Sequence, residues 1–219
     1  MVLSFFRQSD SPMDEVEKRV HQMLIDGHAV YDAAMGAVFG GGKSKATKRE
    51  VKSTDNDINV AQRDVRRALI LHVSVAPATD VAAVLTYMSV VKDVERIGDY
   101  AKNLYDLARY GVDFESAPDR DELAGYRDAV GQLLIDAADT FQSGDTEKAD
   151  ALVAKANVFL DDYDAHVKAA YRSESSAEDA VARALYFRFL KRITAHVMNF
   201  LTSLVLPVDQ LDYYDEPRD

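Results

Sequence analysis

Apolar residues recur three and four positions apart along most of the chain, the spacing of one helical face, and no stretch sustains the alternation of a strand. Gly and Pro fall at few points and divide this pattern into long segments. Ser11-Pro12-Met13-Asp14 reads as a start: Ser caps, Pro suits the first helical position, and Asp14 reaches back as in a capping box. Val16, Val20, Met23, Leu24, Val30, Ala34 and Val38 follow at helical spacing until Gly40-Gly41-Gly42. A second helix is predicted from Lys45 to Val73, with Ile58, Val65, Leu69 and Ile70 inward. Pro77 opens a third, carrying Val81, Val84, Leu85, Met88, Val91, Ile97 and Leu104 as far as Gly111. The polar stretch 111–119 reads as a linker. Pro118 opens a fourth helix that stops at Gly144. Asp145 caps a fifth running to Arg172. Ser175 or Ser176 caps a sixth, which Pro207 ends. The expected fold class is all-α. Helices of roughly 25 residues span about 40 Å, and joined by short loops they form bundles.

The first half recurs in the second. Leu24-Ile25-Asp26 matches Leu134-Ile135-Asp136 at an offset of 110. Asp55-Asn56-Asp57-Ile58-Asn59 lies on Asn157-Val158-Phe159-Leu160-Asp161 at 102, and Arg96-Ile97 with Asn103 lies on Arg192-Ile193 with Asn199 at 96. The shrinking offset is explained by shorter loops in the second half, which lacks the Gly40–Thr47 insert. Three matches in order predict a duplicated three-helix unit, over residues 11–111 and 118–206, with an acidic tail from 207 to 219.

Composition narrows the function. Among 219 residues there is no Cys, which excludes a disulfide scaffold, thiolate zinc and cysteine catalysis. Lys plus Arg is 26 against 37 Asp plus Glu, a net charge of −11, which opposes general affinity for nucleic acid. No apolar run is long enough to span a bilayer, and the opening Met-Val-Leu-Ser-Phe-Phe is too short for a signal-peptide core, so a soluble cytoplasmic protein is expected.

The segment from Asp93 to Leu104 holds the candidate chemistry. Glu95, Asp99 and Asn103 stand at i, i+4 and i+8, on one helical face with Cβ atoms roughly 6 Å apart. Stacked carboxylates repel unless a cation lies between them, and they are hard donors suited to iron, manganese, magnesium or calcium. Charges at this spacing are also common on a solvated face, where Arg96 or Lys102 would pair with them. Gly98 sits among them at a cost of about 1 kcal/mol relative to Ala, which points to close approach by a neighbouring helix or a ligand.

Glu95-Arg96-Ile97-Gly98-Asp99 resembles the signature of the PhoU family of phosphate-uptake regulators, an acidic residue, Arg-Ile-Gly/Ala, then Asp, found once in each of two three-helix repeats. Asp55-Asn56-Asp57-Ile58-Asn59 is similar to the family's second-helix motif, and the likeness covers roughly residues 13–205. The resemblance implies metal ions, iron or zinc, held by acidic motifs. It implies cytoplasmic down-regulation of phosphate uptake, with a phosphate transporter subunit and a phosphate-sensing histidine kinase as partners. Membrane contact would be peripheral at most, and a homodimer stays open. In the second half the motif reads Leu190-Lys191-Arg192-Ile193-Thr194-Ala195-His196, with Lys191 for the acid, Ala195 for the Asp, and Asn157 for the helix-five Asp. A metal site is therefore expected in the first half alone, from Asp55, Glu95 and Asp99 with Asn59 and Asn103 as weaker donors. Two other classes stay open: a metal-dependent carboxylate enzyme on a helical bundle, which wants Glu-x-x-His pairs that the chain lacks, and a metal-free structural interaction module.

Lesser signals read plainly. Gly40-Gly41-Gly42-Lys43-Ser44 has Ala37 where a phosphate-binding loop needs Gly, and it follows a helix, so it reads as a mobile connection. Lys43, Lys45, Lys48, Arg49 and Lys52 form a basic cluster, a solvated run or a contact for an acidic partner or a membrane surface. His28 and His72 read as core residues, and His196 as a packing or hydrogen-bonding one. No nucleophile with an oriented base is present, so no enzyme is expected.

Overall fold

The computed structural model describes residues 12–75 and 81–211. These form six long helices: α1 (Pro12–Gly36), α2 (Lys45–Val75), α3 (Val81–Arg109), α4 (Arg120–Ser143), α5 (Thr146–Tyr171) and α6 (Ala177–Thr202). No strand occurs among the described residues. The start signals at Ser11 and Pro77 and most of the acidic tail lie outside the described residues.

Local sequence sets most of the boundaries. The Ser44 hydroxyl accepts the Thr47 amide at 2.9 Å, and the Asp145 carboxylate accepts that of Lys148 at 2.9 Å. Ser176, rather than Ser175, accepts from the Asp179 amide at 3.2 Å. Gly144, at φ 66°, closes α4 in the left-handed conformation. Three boundaries differ from expectation: α1 ends at Gly36, short of Gly40, and the other two are in the second half. α4 begins at Arg120, and Asp119 beside it turns its carboxylate to Arg183 instead of capping. α6 ends at Thr202, ahead of Pro207, because the chain tightens into a turn with Leu204 N–H on the Leu201 carbonyl at 3.0 Å.

α1, α2 and α3 pack on one another, as do α4, α5 and α6; α1 also packs on α4, and α3 on α6. Val16, Val20, Met23, Leu24, Val30, Ala34 and Val38 are all buried, and one hydrophobic cluster runs through all six helices. On α2 the inward row is Ile58, Gln62, Val65, Leu69 and His72. Ile70, expected inward, is 62% exposed, because one step from Leu69 turns the side chain about 100° round the helix. Val81 and Leu85 are exposed on α3 for the same reason: Val84, Tyr87 and Val91 hold the inner face.

The two connections expected to be polar and loose are anchored by aromatic side chains. Between α1 and α2 the chain makes a turn over Ala37–Gly41 with φ 89° at Gly40, a conformation that favours glycine. That turn buries Phe39, and the link after α3 buries Phe114. Phe39 meets Phe114 edge-on at 5.8 Å, Phe114 meets Tyr186 of α6 at 5.1 Å, and the Arg127 guanidinium lies 4.7 Å from the centre of the Phe39 ring. The linker 111–119 therefore joins the two halves through the core.

Candidate functional site

α2 and α3 run antiparallel and approach closely at Gly98, where a Cβ would stand 3.0 Å from Cδ1 of Ile58. The absent side chain lets α2 lie against this face, which carries Asp55 from one helix towards Asp99 and Lys102 on the other. The Lys102 Nζ donates to Asp55 Oδ1 at 3.1 Å, to Asp55 Oδ2 at 3.0 Å and to Asp99 Oδ1 at 3.1 Å. Arg96 donates to the other Asp99 oxygen at 3.2 Å and lies 3.7 Å from the Glu95 carboxylate.

The cluster is half-buried, which strengthens its electrostatics. Burial pushes the Glu95 pKa up, neighbouring Asp99 adds to the rise, and Arg96 opposes it. Burial disfavours the charge on Lys102, but its hydrogen bonds to Asp55 and Asp99 outweigh this and raise its pKa. The structure thus brings Asp55, Glu95 and Asp99 to one place. The Asn59 amide nitrogen donates to the carbonyl of Asp55 at 2.8 Å, within its own helix. Asn103 lies one turn beyond Asp99 on α3, half-buried.

The hard oxygens suit a hard cation, but the position between Asp55 and Asp99 is taken by an ammonium group. Among the described residues, no group of three or more His, Asp or Glu is arranged to hold a metal ion. As arranged, these residues do not fit a metal without displacement of Lys102.

A second polar group lies where α3 meets α6. Asp93 is 2% exposed and accepts from His196 Nδ1 at 2.7 Å and Asn199 Nδ2 at 3.2 Å, while Tyr100 stacks on the His196 ring at 5.7 Å. His196 thus hydrogen-bonds and packs, as its sequence context suggested. The role of Asp93 as its acceptor was hidden, because the two residues are 103 positions apart. His72 is buried and His28 half-buried. The residues Lys43, Lys45, Lys48, Arg49 and Lys52 are all exposed, at the start of α2.

Residues 15–108 match the profile of the PhoU domain. The match covers most of the first half of the chain. Two crystal structures share the fold over nearly the whole chain. One is PhoU from Pseudomonas aeruginosa, at 19% identity and a TM-score of 0.77, covering 89% of this chain and 95% of that one. The other is the phosphate transport system regulatory protein PhoU from Streptococcus pneumoniae, at 18% identity and 0.78, covering 93% and 98%. No curated protein matches the chain by sequence. The PhoU-domain match stops at α3, whereas the structural likeness continues through most of the second half, where Lys191, Ala195 and Asn157 replace the signature acids. Among the described residues no helix is long and apolar enough to cross a membrane.

Proposed function

We propose that this chain is a cytoplasmic, non-enzymatic regulator of phosphate transport and phosphate-starvation signalling, acting by docking on a transporter subunit or a phosphate-sensing histidine kinase. The observation that carries the reading is the PhoU domain at residues 15–108, set in a six-helix fold like that of a phosphate transport system regulatory protein. Its chemistry agrees with binding. The long helices offer wide, preformed faces. Duplication of a three-helix unit over 11–111 and 118–206 is part of the same proposal, supported by the packing of three helices on one another in each half.

The basic start of α2 is the contact surface in this reading. Its first turn contains no acidic residue, and cations there oppose the positive end of the helix dipole. A local arrangement that disfavours the helix is consistent with a role outside it, towards an acidic partner surface. Deleting the gene is expected to change phosphate uptake or phosphate-starvation gene expression. Normal uptake, normal expression and normal polyphosphate in the deletion strain would overturn the proposal and favour a structural module. Charge reversal across Lys43, Lys45, Lys48, Arg49 and Lys52 is expected to weaken capture of the transporter subunit or kinase more at low salt than at high, since exposed charges are screened over about 10 Å at 0.1 M.

A further inference from the structure

We propose that Lys102 takes the place of a divalent cation in the acidic cluster between α2 and α3, so that this chain assembles and holds its first half without metal. Three observations carry the inference, which goes beyond the regulatory reading and stands or falls separately from it.

The first is geometric. One ammonium makes three contacts of 3.0–3.1 Å with the carboxylates of two helices, which is the bridging role a metal would play there. The second is charge balance. Asp55, Glu95 and Asp99 supply three negative charges, and Lys102, Arg96 and Arg66 act on the same group as cations. The cluster is neutral as it stands. A divalent ion added to it would leave two positive charges in excess, in a half-buried place where such an excess is poorly solvated.

The third observation comes from the other half. Lys191 of α6 is buried and donates to Asp164 of α5 at 2.7 Å, again a lysine of a third helix bridging to an aspartate of a second. Under the sequence offsets of 102 and 96, Asp164 and Lys191 correspond to positions 62 and 95, each seven residues from Asp55 and Lys102. On antiparallel helices both moves run in the same direction, about 10 Å along the pair. The bridge has slid two turns and kept its chemistry. Lysine thus serves as the inter-helix cation in both halves, in the second with the signature acids gone.

The test is metal binding by the full chain. Wild type, Lys102→Met and Lys102→Met/Asp99→Asn are stripped with chelator, titrated with Mn²⁺ and with Zn²⁺ by calorimetry, and assayed for bound metal after desalting. Wild type is expected to retain no stoichiometric metal. Lys102→Met, which keeps the aliphatic stem and loses the charge, is expected to bind Mn²⁺ at least about tenfold more tightly than wild type, a difference of ~1.4 kcal/mol. The double variant is expected to lose that gain. Stoichiometric metal retained by wild type would overturn the proposal, as would a Lys102→Met variant that binds no better than wild type. If Lys102→Met fails to fold in chelator, recovery of its helical signal on adding Mn²⁺ supports the inference and failure to recover overturns it. Phosphate uptake in a Lys102→Met strain reports separately on the regulatory reading.

Discussion

The α2–α3 junction and the α5–α6 junction each carry a lysine–aspartate bridge between helices, in different surroundings. The first is a cluster of three carboxylates around Gly98, held by Arg96 and Lys102. The second has one lysine–aspartate pair beside an aromatic layer, in which His166 stacks on Phe187 at 4.1 Å and Tyr126 meets Phe187 at 5.3 Å and Tyr163 at 5.7 Å. Burial of rings is non-directional and needs no counter-charge, whereas stacked carboxylates need one at every site. A helix pair with few paired carboxylates can therefore hold its packing, provided apolar area takes the place of the ions.

The largest effect expected from this comparison is in the aromatic layer. Phe187 is 2% exposed, and Phe187→Ala is expected to destabilise the chain by about 3–5 kcal/mol in chemical denaturation. A loss below that of a surface substitution would break the comparison. Lys102→Met in chelator comes next. It leaves two facing carboxylates without their shared cation, and because Lys102 is 38% exposed solvent screening brings the expected loss below the usual range for a charged hydrogen bond, to about 1 kcal/mol. Lys191→Met removes the ammonium that Asp164 accepts from, and Asp164 is 41% exposed and hydrates readily, so stability is expected to stay within about 1 kcal/mol of wild type or to rise. Finding Lys191→Met more damaging than Lys102→Met would reverse the assignment of the two junctions.

The smallest effects are in pH dependence, and they have opposite signs. Burial raises the Glu95 pKa, so the folded chain holds that proton more tightly than the unfolded one. The Glu95 contribution therefore falls as pH rises from the unfolded to the folded pKa. Glu95→Gln is expected to raise the melting temperature slightly at neutral pH, with the gain vanishing in acid. The hydrogen bonds from Arg183 lower the Asp119 pKa, against the opposing effect of burial. That contribution is present above the unfolded pKa and is lost as pH falls through the folded one. Asp119→Asn should thus cost stability at neutral pH and nothing in strong acid. Melting curves of both variants from neutral to acid pH check the two signs.

The helices were legible in the sequence because their signals are local. Asp145, Ser176 and Gly144 act within one turn of themselves, and the spacing of Val16, Val20, Met23 and Leu24 specifies a face without reference to any other element. The candidate site was half legible. Glu95 and Asp99 share a helix, so their proximity follows from period alone, and Asp55 joined them only through a resemblance. The tertiary structure decided what stands between them. Whether Lys102 faces solvent or Asp55 depends on how closely α2 approaches Gly98, a distance no single helix encodes. The same holds for Asp93 with His196 and for Phe39 with Phe114 and Tyr186, partners far apart in the chain. Periodicity determines which side of a helix is inward. The register between helices, set by packing of the whole core, determines which charges meet and which side chain serves as their cation.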